Sequence, residues 1–438
     1  MNKITKISLA ASMLLGVSST SLQAADILTN IKADGQIRAR YEMADVKGNG
    51  LDKANAFTNR LTLGVGADIA GQDWISAYVQ MTNVSALNDH YSPEDTNYDG
   101  VGDPRQTRLT QAYVDLKYNK TLLRAGRQSV GLDNQRFVSA VDWRQMHQTY
   151  DAIALVDNTV ENLNLLVGYV TQVNGPTTAR GTDTRAVLLH AAYSVMPELK
   201  ITAYDYMIGA GTGTPNGVPN NRATILGGGS DTYGLALTGD IKPAEDVTIT
   251  YRAEAAKQKK ASLKVHSGNT KPNNRSAKYF MLQADADIYG FLAGFQYEVL
   301  GAAKRAGDLA FMTPLTTRHG FNGWADAFNP GNMPEQGLRD LNFSLGYKNS
   351  MLGMFKINYR DFRSDKKSIK YGTEWDAIYT RAIPGVENLS GMLKFAKFNA
   401  KESQVAKAKA AAGTNGDYSA MVDTTKFWAM LDFKFATK

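Results

Sequence analysis

Apolar and polar residues alternate with a period of two from about residue 32 to the last residues of the chain. Leu61, Leu63, Val65, Ala67 and Ile69 alternate with Arg60, Thr62, Gly64, Gly66 and Asp68. Phe280, Leu282, Ala284, Ala286 and Ile288 alternate with Tyr279, Met281, Gln283, Asp285 and Asp287; after Tyr289-Gly290 the pattern resumes at Phe291, Ala293, Phe295, Tyr297 and Val299. Leu341, Phe343, Leu345 and Tyr347 repeat it. Successive side chains of a strand point to opposite faces, so each such segment has one apolar and one polar face. About 18 such strands are expected, an even number. Their starts are expected near Lys32, Ala56, Trp74, Thr107, Lys120, Thr149, Leu163, Thr184, Leu199, Asp231, Val247, Lys278, Phe291, Arg339, Met354, Glu374, Leu389 and Thr425.

The connections alternate as well. Gly71-Gln72, Asn119-Lys120, Asp157 to Glu161 and Tyr289-Gly290 are short, whereas the stretches around Tyr91, Asp133, Gly213, Gly268, Gly320 and Gly413 are long. Short periplasmic turns and long extracellular loops between dyad-patterned strands predict an all-β fold, a transmembrane antiparallel β-barrel. A soluble sandwich has no reason to keep that rhythm. No window of roughly 20 apolar residues follows the N-terminus, which excludes a helical membrane protein.

Composition changes the picture in three places. The mean hydropathy of −0.32 suits a barrel, because only alternate strand residues face lipid. The absence of cysteine removes disulfides and thiolate metal sites. Residues 1–24 read as a signal peptide, with Lys3 and Lys6 before an apolar run from Ile7 to Val17 and Ala24 at the cleavage site. Residues 25–438 then form a single barrel domain, destined for the outer membrane of a Gram-negative bacterium. Without the leader, 47 basic residues face 42 acidic ones, a formal charge of +5.

The last strand places Phe427, Ala429, Leu431, Phe433 and Phe435 outward, similar to the aromatic-rich terminal strand of outer-membrane barrels. Tyr41, Trp74, Tyr118, Tyr169 and Tyr347 near strand ends suit interfacial girdles. Two motif sets are more specific. One runs through Gly126-Arg127-Gln128, Asp133-Asn134-Gln135-Arg136-Phe137-Val138, Asp142-Trp143-Arg144 and Tyr150-Asp151-Ala152. The other is Phe321-Asn322-Gly323-Trp324-Ala325-Asp326 with Gly337-Leu338-Arg339-Asp340 after it. Together they resemble the alginate export family of outer-membrane porins. The resemblance implies an 18-stranded monomeric barrel and a channel function; where many relatives continue the tryptophan motif with Lys-Phe-Leu, this chain has Ala327-Phe328-Asn329.

A channel needs no catalytic group; it needs fixed charge and width in the lumen. Alternation points Arg38, Arg40, Arg60, Arg124, Lys394 and Lys434 inward. Asp285, Asp287, Glu298, Glu374 and Asp376 point inward from strands further round. A basic wall facing an acidic one favours small hydrophilic, anionic solutes, with alginate-like polysaccharide export as a specialised variant. The loop from Ser129 to Gln148 mixes Asp133, Arg136, Asp142, Trp143 and Arg144 with apolar residues, as expected of a constriction loop tucked into the pore. The segment from Phe311 to Leu338 is a second inward candidate. The other reading is a barrel with a blocked lumen acting at the surface as adhesin, receptor or hydrolase.

Other chemistry is sparse. Asp95, Asn97, Asp99 and Asp103 place oxygens at alternate positions with Gly100 at the sixth, the opening of a calcium loop, although Gln106 stands at the twelfth. No cofactor is required, and the segment reads either as an external loop that binds Ca²⁺ or as a plain acidic, turn-rich loop. His90, His147, His190, His266 and His319 have no zinc spacing, and no nucleophile elbow or phosphate loop occurs, so an enzyme is not expected. Lys257 to Lys264 is basic and is expected in an external loop, contacting lipopolysaccharide phosphate or simply solvated, rather than binding nucleic acid.

Overall fold

The computed structural model describes residues 27–437 except 178–180, 210–228, 261, 264–275, 306–307, 317–318, 329–332 and 412–420. The expected leader, the loop centres at Gly213, Gly268 and Gly413, and Lys264, His266 and Asn329 lie outside the described residues.

Each dyad segment becomes a strand: β1 (Leu28–Val46), β2 (Ala54–Ile69), β3 (Gln72–Ala86), β4 (Gln106–Tyr118), β5 (Thr121–Gln128), β6 (Thr149–Asp157), β7 (Leu163–Asn174), β8 (Thr182–Met196) and β9 (Leu199–Ile208). The second half holds β10 (Ser230–Ala244), β11 (Val247–Lys259), β12 (Ser276–Ile288), β13 (Phe291–Leu300), β14 (Leu338–Asn349), β15 (Gly353–Arg363), β16 (Lys370–Ala382), β17 (Leu389–Ala400) and β18 (Thr424–Ala436). A short helix, α1 (Glu402–Ala411), lies between the last two. Every strand pairs antiparallel with its neighbours in the chain, and β1 pairs with β18 from Asp34↔Ala436 to Val46↔Thr424. The 18-stranded sheet therefore closes, and closure leaves no unpaired edge.

All expected starts lie within four residues of the observed ones. The two largest offsets have a common cause. β1 begins at Leu28, below a register shift between Thr29 and Lys32, and β16 begins at Lys370, beside one between Phe362 and Arg363. A bulge inserts a residue and breaks the period of two, so alternation becomes visible only past it.

The turn end is tight. Ala70-Gly71 (φ 53° and 70°) and Tyr289-Gly290 (φ 53° and 85°) have both central residues left-handed, the backbone that matches the twist of two-residue hairpins. Odd-numbered strands lead into the long connections at the opposite end, among them residues 87–105, 129–148 and 301–337.

The two faces of the wall differ as alternation requires. Phe343, Leu345, Phe355, Leu393 and Leu431 are exposed on the outside, while Arg38, Arg40, Arg60, Glu298 and Glu374 on the inside are buried. The apolar exterior makes sense only against lipid. The buried apolar cluster sits within the lumen, where loop residues Phe137, Val138, Phe311, Leu315 and Phe328 pack on inward Tyr204, Tyr206, Tyr279, Phe362 and Phe398. This filling occupies the loop half. In the turn half the inward side chains, such as Asp285, Asp287, Lys348 and Lys356, are polar and between 27 and 51% accessible, so that half is a wet vestibule.

Candidate functional site

The loop 129–148 enters the lumen because the β1–β2 wall supplies donors for its backbone. Arg38 Nη1 donates to the Asp142 carbonyl at 2.8 Å and Arg40 Nη1 to the Trp143 carbonyl at 2.6 Å. Gln145 N–H donates to Asp103 Oδ1 at 2.8 Å and its Nε2 to Thr58 Oγ1 at 3.0 Å. Val141 holds φ at 52°, costly for a β-branched residue and tolerated because these contacts over-determine the turn. Asp142-Trp143-Arg144 is thereby presented at the wall.

The loop 301–337 meets it from the other side. Gly323, at φ 90°, brings the chain so close to Glu374 that a β-carbon there would run into Oε2. That approach lets Glu374 Oε1 accept the N–H groups of Trp324 and, at 2.9 Å, Ala325. Glycine is required at this position on both counts.

Two knots join the loops. In the first, Arg136 donates to both oxygens of Glu298 at 2.6 and 3.1 Å and to Asn322 Oδ1 at 2.8 Å. Asn322 Nδ2 returns to Glu298 at 2.6 Å, and Tyr279 Oη donates to the same carboxylate at 2.8 Å. Arg136 and Glu298 are 1 and 0% exposed, and Arg360 completes the set by bonding Asp340 at 2.6 Å. The Asp133 to Val138 and Phe321 to Asp326 motifs thus contribute to one buried network.

In the second knot Trp143 stacks on His319 with ring centroids 4.0 Å apart and planes 5° from parallel. Arg40 lies over Trp143 at 4.1 Å, and Lys394 lies 4.2 Å from Trp143 and 3.7 Å from Trp324, both cation–π distances. Lys394 Nζ donates to His319 Nε2 at 2.8 Å. An ammonium can only donate, so Nδ1 carries the imidazole proton and faces Asp326 at 3.3 Å. Asp326 also pairs with Lys426 at 2.8 Å and Arg144 at 3.5 Å.

Burial, then the Lys394 charge, holds His319 well below the usual imidazole range. Burial, followed by Arg60, Arg108 and Arg38, lowers His147 to about 3. Burial acts to raise Asp326, but Lys426, His319 and Arg144 outweigh it and hold the carboxyl well below its usual range. Both imidazoles are neutral when folded and readily protonated when unfolded. Their contribution is fully present above about pH 6.5 and is lost as pH falls toward their depressed values. The Asp326 contribution is lost only below the ordinary carboxylate range. The melting temperature should therefore fall steadily from pH 6.5 toward 3, and His147→Gln should flatten part of that slope; a slope unchanged by the substitution would contradict the assignment.

The expected lumen residues occupy different settings. Arg38, Arg40, Arg60, Arg124, Asp285, Asp287, Glu298, Glu374, Asp376, Lys394 and Lys434 all fall on the inward register positions. Several of the basic residues carry acidic partners of their own. Arg38 pairs with Asp432 at 3.0 Å, Arg40 with Glu42 and Asp103 at 3.5 and 3.4 Å, and Arg124 with Asp115 at 2.7 Å. Among the described residues Arg60 and Lys394 have no carboxylate within ion-pair distance. Acidic positions are matched too: Asp376 faces Arg360 at 3.5 Å, Asp285 faces Lys356 at 3.9 Å, and Asp287 pairs with Lys348. Lys434 is exposed at the turn end. Of the constriction residues, Asp133 reaches His190 at 3.1 Å and Arg144 reaches Glu42 at 3.3 Å, while the Asp142 side chain is exposed.

The oxygens of the calcium-like segment have protein partners of their own. Asp95 accepts the Asn97 N–H at 2.9 Å, Asp99 accepts Val46 N–H at 2.9 Å and Asn49 Nδ2 at 2.6 Å, and Asp103 is turned to Gln145 and Arg40. The carboxylates organise separate turns, and no cluster of three or more metal-ligating His, Cys, Asp or Glu exists among the described residues. Lys257 to Lys259 belongs to β11 rather than to a loop.

His319, Lys426, Trp428, Glu42 and Arg360 were not anticipated. The inward parity of Arg360 and Lys426 was available from alternation. Nothing local marks His319, whose role depends on two loops meeting.

A family model described as alginate export matches residues 29–162. No curated protein matches the sequence. Among solved structures the chain is similar to Pseudomonas aeruginosa OccK8 (OprE), at 13% identity and TM-score 0.68 over 94% of this chain and 100% of that one. It is similar to Acinetobacter baumannii OccAB2, at 14% identity and TM-score 0.67 over the same shares. Pseudomonas aeruginosa OpdK, solved with vanillate, gives 12% identity and TM-score 0.68, again over 94 and 100%.

Proposed function

We propose that this chain is an outer-membrane porin, exported by a leader over residues 1–24, that passes small hydrophilic solutes and favours anions. The observation that carries the proposal is the divided lumen: a polar, wet vestibule in the turn half and a loop-built barrier in the other, inside a closed barrel with an apolar exterior. Transport here is a matter of width and field and calls for no catalytic residue. Anion preference is supported by Arg60 and Lys394, which lie near the barrier on neighbouring strands β2, β1, β18 and β17 together with Arg38 and Arg40. The vanillate found with OpdK is an organic anion of the fitting class. A polyanion such as alginate is the specialised solute under the same reading, and it would need the barrier loops displaced.

Planar-bilayer recordings in a salt gradient test this. Stable open steps with an anion-selective reversal potential are expected, and replacing Arg38, Arg40 and Arg60 by glutamine should move that potential toward zero. A reversal potential unchanged by the substitutions sinks the charge assignment. The buried aromatic filling of the loop half favours a second reading, a sealed barrel working at the cell surface as adhesin, receptor or hydrolase; a well-folded barrel that stays electrically silent would support it.

A further inference from the structure

We propose that the outer wall binds the phosphates of lipid A along the loop-end rim of β11 to β17. The proposal rests on the membrane reading above. Outward positions near that rim are Lys257 on β11, Lys278 on β12, Arg339 on β14, Arg363 on β15, Lys370 on β16 and Lys397 on β17. Three pairs among them stand directly opposite one another across the ladder: Lys257↔Lys278, Arg339↔Arg363 and Arg363↔Lys370. Like charges at such positions destabilise a sheet. A wall under selection for stability alone would alternate them.

Counter-charge within the arc is thin. Asp361 takes Arg363 at 2.6 Å and Lys370 at 2.7 Å, and Arg339 bonds the Ser364 carbonyl and Ser368 Oγ, both at 2.9 Å. Lys257, Lys278 and Lys397 are exposed and have no ion pair among the described residues. The other side of the rim is built differently: Arg127 is held by both oxygens of Asp151 at 2.6 and 2.9 Å, and Asp183, Asp205 and Asp231 follow on β8 to β10. Arg185 on β8 stands next to these carboxylates, so it is on the β11 to β17 arc that outward cations oppose one another.

Their height selects the partner. Two residues below Lys278 comes Phe280, below Arg339 comes Leu341 and below Lys397 comes Phe395, all on the lipid face. Two residues along a strand are about 7 Å. The side chains therefore leave the wall where hydrocarbon gives way to headgroups, with flexible stems that can reach a phosphate and, for arginine, a fork that matches one. The outer leaflet at the loop end offers lipid A, whose phosphates would relieve the repulsion between opposed cations.

The test uses the full chain purified in detergent, with lipid A retention counted by native mass spectrometry. Bisphosphorylated lipid A should be retained, and phosphate-free lipid A should bind roughly tenfold more weakly or worse. Lys257→Gln/Lys278→Gln/Arg363→Gln should lose a similar factor, while Arg127→Gln keeps wild-type retention. Equal retention of the two lipids overturns the proposal, and that comparison needs no variant. Full displacement by millimolar inorganic phosphate would reassign the arc to a free anion. A triple variant that retains lipid A but loses self-association would reassign it to contact between copies. A silent barrel that retains phosphorylated lipid A would separate this proposal from the channel reading and keep it.

Discussion

Replacing Arg136 by methionine should cost about 3–5 kcal/mol of stability, because it leaves the Glu298 carboxylate buried without its cation. Glu298 keeps Tyr279 and Asn322 as donors, but these are neutral groups, and the carboxylate is fully enclosed. The double change Arg136→Met/Glu298→Gln removes both charges and should recover most of the loss, since a buried pair contributes less than its halves cost when separated. Guanidinium unfolding in lipid vesicles measures both. A single-variant loss within the 0–1 kcal/mol typical of surface pairs would show that the knot opens to water in the folded state. The expected loss is large because Arg136 and Asn322 come from different loops while Glu298 comes from the wall, so one substitution loosens all three.

Trp143→Ala should raise single-channel conductance severalfold. The indole stacks on His319, carries Arg40 and Lys394 on its faces and meets Trp428 edge-on at 5.7 Å, so it is the piece of loop 129–148 that touches loop 301–337 and three wall strands at once. Its loss removes packing that costs about 3–5 kcal/mol for a large aromatic and leaves space in the barrier. His319→Ala should act in the same direction through the same stack, and Trp143→Phe should act less. A lower melting temperature with unchanged conductance would make the residue a packing element outside the solute path.

Arg136 and Trp143 also mark how far the sequence could be read. Both were recognisable as odd company for an exposed loop, a charge and a large aromatic among apolar neighbours, and the inward fold of the loop follows from that. Their partners were not recognisable. Asn322 lies 186 residues from Arg136, and Asp326 lies 100 residues from Lys426. Nothing in the spacing of either pair announces it. The calcium-like segment shows the converse: its oxygens alternate in sequence, yet Asp99 and Asp103 are spent on backbone and arginine donors delivered by other strands and loops.

Strand positions, the inward parity of the wall residues away from the bulges and the short-long rhythm of the connections were determined by the sequence itself, because a half-buried strand imposes a period of two that one residue of slip would invert. Closure follows from the same pattern, since each strand needs two neighbours and only a barrel supplies the second partner of β1. The tertiary structure alone decided how much charge the lumen shows. Inward parity places Arg38 and Arg40 on the lumen face, but their neutralisation by Asp432, Glu42 and Asp103 and their coverage by loop carbonyls depend on distances between segments far apart in the chain. Coulomb and hydrogen-bond energies act over a few ångströms of space and carry no period along the sequence.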